Sequence, residues 1–576
     1  MNKWIKTGLL AAVPALLLML PACKKYKDIP PYFENNTDTL KKTSRKVLII
    51  GIDGAVGAEY KTIQPPVLVG MQTHSKFSYE AVSDEGTSDA ASWKSLVSGI
   101  SFSRHKIQDS SFIYTQPLGS APHDAPAIYP SIFTYLLSSS KSDTRTSLIS
   151  SWSTLNNRLV PEVEDKVLAA NDAAVKDSAI VRLKNPKSDL VIVHFNGAAI
   201  AGRASSFSAS AAAYKDAVLK VDGYIGELMT ALKARPDYNK QEEWLVIVNG
   251  THGGTGNTYG GPSDKETNVI SFYYNERMKQ KELIRGGAFS GIQVKNRDAA
   301  AIKAQIADDG GLYNPGTGQQ TIQLSVKGTS GAYPHFFSKM AVWPSTPGWS
   351  MFTSGQTWAI SVRSTTGGES RIQGTTPNVF DNKWHTITVV FADSASKKWL
   401  RRYTDGVRTD QTEITTQYNN SGTFTNTSQL LIGHGADPGQ GFSTIYTADI
   451  SIFNTALTDA EIAGNKCNTN LTTHPKYANL IGYWPANDGY GGRLKNQAPA
   501  GAGKDFVLRG GFTWDGQTEV PCTTIPNTST TKVSQLLKSV DVAATMFYWL
   551  KITPAASWGL EGSTWLSQYE IEFITL

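Results

Sequence analysis

The first half of the chain alternates short apolar runs with segments of helical periodicity. Residues 47–52 and 190–195 are apolar almost throughout, which predicts strands buried on both faces of a sheet. Residues 211–232 place apolar side chains at helical spacing and lead towards Pro236, near which a helix is expected to end. Strands that alternate with helices in this way predict a doubly wound α/β domain.

From about Ser325 the pattern changes to short, alternating, aromatic strands. Examples are residues 349–352, 358–362, 383–391, 403–407 and 430–433. Short strands with a turn about every ten residues predict an antiparallel sandwich, in which Trp384 and His385 are expected to belong to the core. Asp405 and Gly406 predict a hairpin turn, because both residue types tolerate positive φ.

The composition is that of a globular protein with several domains. With 576 residues, 40% of them hydrophobic and 18% charged, the chain is long enough for about two to four domains. The formal net charge of +6 is small for this length. No basic block forms a stripe along the sequence, so a nucleic-acid partner is not expected.

The N-terminus has the features of an exported lipoprotein. Two lysines precede an apolar stretch, residues 9–19, that is too short to span a bilayer. The sequence Leu-Pro-Ala-Cys ending at Cys23 resembles a bacterial lipobox, which predicts a signal peptide (1–22) and a lipidated tether (23–45). The expected membrane partner is then the lipid anchor, and the expected location is the cell envelope, as an outer-membrane lipoprotein of the Bacteroidetes type. The alternative is an ordinary secretory signal with an incidental cysteine.

Cys467 and Cys522 are the two remaining cysteines. In an exported protein they are a candidate disulfide, and two unpaired buried thiols are the alternative. Two cysteines are too few to predict a metal cluster.

Four segments share the order and spacing of a known superfamily. The first strand ends in Asp53, residues 86–99 and 104–107 follow, and residues 245–254 end in Thr-His-Gly-Gly. Together they resemble the alkaline phosphatase superfamily, in particular its type I phosphodiesterase/nucleotide pyrophosphatase branch. The resemblance implies an α/β fold with a metal site at the carboxyl edge of its sheet.

The strand-rich part resembles the laminin G-like, concanavalin A-type jelly-roll family. The resemblance rests on residues 348–349, 382–385, 403–406, 432–433 and 448–462. It places a jelly roll at residues 311–464. Residues 465–527 resemble a small uncharacterised module that follows such jelly rolls in exported Bacteroidetes proteins.

The end of the chain resembles the closing helix and loop of the phosphodiesterase fold, on residues 541–552 and 557–562. This implies a discontinuous α/β domain, residues 46–310 and 528–576, with the jelly roll and its small companion inserted. Such an insertion is tolerated because loop-closure entropy grows only with the logarithm of loop length. A detached amphipathic C-terminal helix is the alternative.

The phosphodiesterase resemblance implies two divalent ions, usually zinc, and an activated hydroxyl nucleophile. One ion takes an aspartate from the first strand, the nucleophile and an Asp-His pair, and these positions fall on Asp53, Asp89, Thr251 and His252. Asp53 and His252 keep the expected residue type, whereas Asp89 replaces the hydroxyl. The neighbouring hydroxyls of Thr87 and Ser88 are the alternative nucleophiles.

The ligand positions of the second ion fall on Ala199, Arg203 and Tyr259. A methyl group donates no electron pair, a guanidinium adds a fixed positive charge, and a phenol is a poor ligand near neutral pH. Zinc needs three or four donors, so a second ion is not expected to bind. Asp53, Asp89 and His252 remain as a candidate site for a single ion.

Two functions follow from this ligand count. The loss of ligands favours a catalytically inactive phosphodiesterase-like scaffold, without a cofactor, that displays a concanavalin A-like domain for binding glycan. The alternative is a phosphodiesterase or phosphatase-type hydrolase that uses one zinc ion held by Asp53, Asp89 and His252. An envelope protein whose sandwich contacts another protein is the third hypothesis.

Overall fold

The computed structural model describes residues 43–114, 129–285, 289–295, 302–329, 333–418, 422–433, 444–468, 470–499, 504–510, 512, 514–517, 519–520, 523–524 and 532–573. The predicted signal peptide, Cys23 and the tether up to residue 42 lie outside the described residues, as does Cys522. Cys467 is disulfide-bonded. No helix in the described ranges has both the length and the apolar character that a membrane crossing requires.

The chain forms 27 strands in its described parts. They are β1 Ser44–Asp53, β2 Ser75–Val82, β3 Thr146–Ser150, β4 Asp165–Leu168, β5 Leu190–Phe195, β6 Glu242–His252, β7 Asn268–Tyr274, β8 Lys281–Ile284, β9 Phe289–Lys295, β10 Lys303–Ile306, β11 Gln320–Gly328, β12 His335–Lys339, β13 Gly348–Ser354, β14 Thr357–Arg363, β15 Glu369–Gln373, β16 His385–Ser394, β17 Lys397–Thr404, β18 Val407–Glu413, β19 Leu430–Ile432, β20 Thr444–Phe453, β21 Leu480–Trp484, β22 Arg493–Leu494, β23 Phe506–Arg509, β24 Trp514–Gln517, β25 Glu519–Val520, β26 Thr523–Thr524 and β27 Lys532–Ser534.

The helices lie mainly in the first half of the chain. They are α1 Gly57–Ile63, α2 Pro66–Met71, α3 Asp89–Ser98, α4 Phe102–His105, α5 Ile132–Leu137, α6 Asp172–Lys184, α7 Gly197–Ala204, α8 Ala212–Lys233, α9 Asp264–Thr267, α10 Thr415–Tyr418, α11 Asp459–Asn465 and α12 Asp541–Trp549. Short 3-10 segments lie at Gln72–His74, Leu471–Thr473, Tyr477–Asn479, Ala556–Trp558 and Trp565–Phe573, and a π-helical turn at Leu155–Leu159.

Nine strands form the central sheet of the α/β domain, in the order β27-β8-β2-β7-β6-β1-β5-β3-β4. β1 is parallel to β5, and β3 is parallel to β5 and β4, whereas β7 is antiparallel to β2 and β6. Alternate residues of β1 belong to different cores, with Ile49 in one hydrophobic cluster and Ile50 in the other. Met546 of α12 packs in the first cluster and Val218 of α8 in the second. Helices therefore cover both faces of the sheet, which confirms the predicted α/β fold class.

The strand-rich part forms two sheets that enclose a common core. One has the order β15-β14-β13-β12-β19-β10-β23-β22, and the other β18-β17-β16-β11-β20-β9-β24 with β21 paired to β20. Trp349, Trp358 and Trp484 are completely buried between them. The strand pairings within both sheets are antiparallel, so the predicted antiparallel sandwich is confirmed.

The hairpin between β17 and β18 turns at Asp405 (φ 51°) and Gly406 (φ 82°), as the sequence predicts. A Cβ atom on Gly406 would lie 2.8 Å from the Cδ of Lys466, a flexible side chain, so the positive φ is the main reason for glycine here. His385 differs from expectation because it is not in the sandwich core. It begins β16 beside this turn, where it contacts Asp381 (3.1 Å) and Asp405 (2.8 Å).

The sandwich sheets cross the domain boundaries predicted at residues 310 and 464. β9 and β10, which precede the first boundary, lie one in each sheet. β22 and β23 extend the β10 side of one sheet, while β21 and β24 add to the other. These strands have two to seven residues, and such short segments carry little periodic signal.

After the sandwich the chain returns to the α/β domain. β27 pairs with β8 in parallel at the edge of the central sheet. The indole N–H of Trp549 in α12 donates to the carbonyl of Lys46 in β1 (3.0 Å), and the guanidinium carbon of Arg45 lies 4.6 Å from the indole centroid. The backbone N–H of Glu561 donates to the carbonyl of Gly99 (2.9 Å). The sandwich is thus inserted between β8 and β27.

We expect Trp549→Ala to lower the free energy of unfolding by about 3–5 kcal/mol, because a fully buried indole is lost from the core of the α/β domain. The measurement is the chemical denaturation midpoint followed by circular dichroism. Ile571→Ala is the matched control in the same C-terminal segment, since this side chain is 79% exposed. Equal midpoints for the two variants would contradict the inserted arrangement.

Candidate functional site

The carboxyl ends of two neighbouring strands supply the first residues of the candidate site. Asp53 is the last residue of β1, and His252 is the last residue of β6. Asp89 is the first residue of α3, where the Ser88 Oγ accepts the backbone N–H of Ala91 (3.3 Å) and caps the helix. A cavity of about 300 Å³ opens there, lined by Asp53, Asp89, Ser151, Trp152, His194, Asn196, Ala199, Ile200, Arg203 and Tyr259.

The carboxylate of Asp53 is surrounded by hydrogen-bond donors. Its Oδ1 accepts from the Thr251 hydroxyl (2.6 Å) and from the Trp93 indole N–H (3.0 Å). Its Oδ2 lies 2.7 Å from the Nε2 of His194. Asp53 is only 3% exposed, so these donors replace water as the partners of a buried charge.

The carboxylate of Asp89 has two partners of its own. Its Oδ1 lies 3.0 Å from the Nε2 of His252, and its Oδ2 accepts the Tyr259 hydroxyl (3.2 Å). The Nδ1 of His252 lies 2.7 Å from the carbonyl oxygen of Gly253. A carbonyl only accepts, so this nitrogen carries a proton, and a second proton on Nε2 is stabilised by Asp89.

The two Asp–His contacts shift the titration of the groups involved. Burial favours the neutral form of His194 and of His252, yet the adjacent carboxylates outweigh it and raise the pKa of both imidazoles. Burial also favours neutral Asp53, but His194, His252 and Thr251 together lower its pKa. Near pH 6 the site is therefore expected to hold two ion pairs.

The three predicted positions of the second metal lie in the same cavity without forming a ligand set. Ala199 is buried in α7, where its backbone closely approaches Gly54. The Tyr259 ring stacks on His252 (centroids 4.1 Å apart). The guanidinium carbon of Arg203 lies 5.7 Å from the centroid of the Tyr259 ring. The phenol and the guanidinium thus cover the Asp89–His252 pair.

The two alternative nucleophiles have structural partners. The Thr87 hydroxyl donates to the carbonyl of Gly261 (2.6 Å) and accepts the N–H of Gly260 (3.0 Å), and Thr87 is completely buried. The Ser88 hydroxyl donates to the carbonyl of Gln108 (2.8 Å) in addition to capping α3. Neither residue lines the cavity, so the structure does not bring them to the candidate site.

Sequence reasoning gave no role to His194, whose Nε2 lies 2.7 Å from the carboxylate of Asp53. It lies in β5, in a run that is otherwise apolar, and a lone polar residue in a buried strand was the available signal. Two atoms at this cavity, the Nδ1 of His194 and the Oγ of Ser151, are buried without a hydrogen-bond partner in the described structure. Such atoms mark positions for water or a polar ligand group.

The donor set fits one divalent ion and does not fit two. Asp53, Asp89 and His252 each offer a ligand atom within 4.8 Å of the others, and no other such group occurs in the described ranges. An ion there would need His252 to lose the proton on Nε2. It would also compete with the protein donors that already hold the Asp53 oxygens. Ala199 and Arg203 contribute nothing to a second ion.

Two family models match the second half of the chain. Residues 304–463 match the concanavalin A-like lectin/glucanases superfamily. The matched segment lies within the antiparallel sandwich. Residues 470–566 match a domain of unknown function, a span that runs from the strands completing the sandwich into α12 of the α/β domain. A comparison with curated proteins gives no match.

Solved structures resemble the two halves of the chain separately. They include a 2-O GAG sulfatase (13% identity, TM-score 0.33), a protein of the alkaline phosphatase superfamily from Vibrio parahaemolyticus (11%, 0.32) and a native heptameric SAP-like pentraxin from Limulus polyphemus (13%, 0.25). The matches cover 42%, 42% and 41% of this chain and 66%, 63% and 92% of those chains. The chain thus spans slightly less than two thirds of the first two structures. At these scores the likeness carries no inference about activity.

The raised and lowered pKa values define the pH range in which these pairs stabilise the fold. The contribution of His194 and His252 is fully present below their unfolded pKa of about 6.5 and is lost as the pH rises through the raised folded values. The contribution of Asp53 is present above its unfolded pKa of about 3.9 and is lost as the pH falls through the lowered folded value. Both contributions are present together between about pH 4 and 6.5.

We expect a nitrogen-15 NMR titration to give pKa values above about 6.5 for His194 and His252. In Asp53→Asn the pKa of His194 should fall below its wild-type value, because burial then opposes the charged form with less compensation. His105 is the internal control, since burial, with Lys94 and Lys106, lowers its pKa to about 3. An unchanged His194 titration in Asp53→Asn would disprove the pairing.

Proposed function

We propose that the protein is a cell-envelope lipoprotein whose alkaline phosphatase-like α/β domain does not hydrolyse esters. In this proposal the α/β domain is a scaffold for the concanavalin A-like domain, which binds glycan at the cell surface. The lipid on Cys23 anchors the chain. One observation carries the inactivity: the Asp53 and Asp89 carboxylates are neutralised by His194, His252 and neighbouring hydroxyl groups.

The proposed inactivity depends on which groups of the site remain to polarise a substrate. In a two-metal site the ions stabilise both the attacking and the leaving oxygen of the transferred group. Here Arg203 and the Ala199 methyl group stand at two of the positions that would hold one ion. Asp89 stands at the nucleophile position, and its carboxylate is paired with His252. A binding role is therefore better supported than hydrolysis.

The glycan proposal rests on the domain match and on the predicted export. The matched family is described as lectins and glucanases, so carbohydrate is the ligand class that the match suggests. A lipid-anchored protein of the envelope would meet polysaccharide in its surroundings. The single-metal hydrolase remains the second candidate, because Asp53, Asp89 and His252 lie close enough to share one ion.

We expect the purified protein, supplied with zinc, to hydrolyse neither an aryl phosphate diester nor an aryl sulfate above the rate of Asp53→Ala. A variant with Thr251→Asp, Ala199→Asp, Arg203→His and Tyr259→His restores the ligand types that the resemblance implies. It should gain bound zinc relative to the wild type, measured by elemental analysis. Stoichiometric zinc in the wild type together with turnover that Asp53→Ala abolishes would establish the single-metal hydrolase instead.

We expect at least one polysaccharide from a broad panel to retard the full mature chain in affinity electrophoresis. Asp53→Ala should be retarded equally, because the candidate metal site takes no part in glycan binding. Loss of retention in Asp53→Ala would indicate that the glycan binds in the α/β cavity instead. An absence of retention across neutral and acidic polysaccharides would remove the glycan role.

A further inference from the structure

A well-formed cavity lies where the sandwich meets the α/β domain. Its volume is about 490 Å³, within the range of about 300–1,000 Å³ typical of ligand sites. One wall comes from the segment that completes the sandwich, and the other from residues around α4 and from the returning C-terminal segment. The cavity is separate from the one that contains Asp53 and Asp89.

The sandwich side of this cavity is aromatic. Tyr490, Phe512 and Trp514 all line it. The indole N–H of Trp514 donates to the carbonyl of Gly491 (2.9 Å), so the polar edge of the ring is satisfied within the protein. The Tyr490 hydroxyl lies 3.1 Å from the Thr267 hydroxyl of the α/β domain. The aromatic wall is therefore held in place from both domains before any ligand binds.

Further contacts across the junction fix the width of the cavity. The backbone N–H of Gly492 donates to the Glu85 carboxylate (3.0 Å), and the ammonium of Lys495 donates to Asp264 (3.0 Å). Asp264 is 82% exposed, so the second contact contributes little by itself. A preformed cavity of this kind binds without a large cost of ordering.

The acidic groups on the α/β side already have partners. Glu561 contacts the Arg104 guanidinium (3.3 Å) and accepts the N–H of Ser101. Asp84 accepts the Ser95 hydroxyl (2.8 Å) and two backbone N–H groups. Burial, reinforced by Glu85, also raises the pKa of Asp84 to about 7, which weakens its negative charge near neutral pH.

Lys538 is the cation of this cavity that has no direct ion-pair contact with a described residue. It lines the cavity, and Asp541 is the carboxylate with which its ammonium interacts at longer range. The Asp541 carboxylate accepts the backbone N–H of Lys538 (2.8 Å) and that of Ser563 (2.8 Å) rather than the ammonium. The cavity thus combines aromatic surface with an ammonium group that makes no direct contact with a carboxylate of the described residues.

We propose that this junction cavity binds an acidic sugar residue, with its apolar ring face against Trp514 and Phe512 and its anionic group at Lys538. Aromatic rings match the C–H face of a sugar ring, and a charge-assisted hydrogen bond to the ammonium selects the acidic substituent. The inference rests on the proposed glycan-binding function and gives it a location outside the match at residues 304–463. It implies that both domains contribute to recognition.

The test uses calorimetric titration of the full mature chain with tetrasaccharides of polygalacturonate, alginate, hyaluronate and chondroitin sulfate. Methyl-esterified tetragalacturonate is the uncharged control ligand. We expect at least one acidic tetrasaccharide to bind, more weakly as salt is raised. Lys538→Gln should weaken that binding on the order of tenfold and leave a neutral ligand unaffected. Lys187→Gln, an exposed charge on the α/β domain, is the matched control variant.

Trp514→Leu should weaken acidic and methyl-esterified ligands alike, because it removes the ring surface and not the charge. If the unfolding midpoint of Trp514→Leu is lower than that of the wild type, Phe512→Leu is used as the test variant instead. Binding to none of the acidic tetrasaccharides, or equal affinity in Lys538→Gln and Lys187→Gln, would overturn the inference. If Lys538→Gln and Lys187→Gln bind equally well, the full chain would still retain polysaccharide. Failure of the proposed function, by contrast, would abolish all retention.

Discussion

Burial of the Asp53 carboxylate is the constraint on which the candidate site depends. The end of β1 leaves this group 3% exposed, and a buried carboxylate is strongly disfavoured unless donors or cations surround it. Thr251 from β6, Trp93 from α3 and His194 from β5 supply those partners. One charge therefore connects three elements to β1.

Because the carboxylates of the site need donors, the residues that depart from the metal-binding pattern depend on one another. A hydroxyl at Thr251 donates to Asp53, where a second carboxylate would repel it. The phenol of Tyr259 donates to Asp89 and stacks on His252, so it occupies a carboxylate oxygen that an ion would otherwise bind. Donors held in these contacts are engaged within the protein, and each contact joins a different element to the end of β1 or to α3. The arrangement thereby stabilises the α/β domain.

Sequence reasoning located the site because strand ends are readable from apolar runs. Asp53 and His252 lie at strand ends, whereas Asp89, Ala199, Arg203 and Tyr259 were assigned from the resemblance to the phosphodiesterase branch; these four residues and Asp53 line one cavity. His194 was not predicted as a site residue because its partner, Asp53, is 141 positions earlier in the chain. Only the parallel pairing of β1 with β5 makes the two residues neighbours. The boundaries of the sandwich were not predicted correctly for a related reason. β22 has two residues and gains its identity from pairing with β23, which no local pattern predicts.

The path of the chain into and out of the sandwich explains why the insertion is compatible with a rigid junction. β8, the last strand before the insertion, pairs with β27, the described strand that resumes the sheet. Inside the sandwich, β9 pairs with β24, so the entering and leaving strands are again neighbours. Two adjacent connections restrain relative rotation more than a single linker would, and they add little loop-closure entropy because their ends are already close. Trp514 of β24 lines the junction cavity from the sandwich, and the other lining residues lie in α4 or in the connections beside the strands. Residues from two domains thereby enclose one cavity.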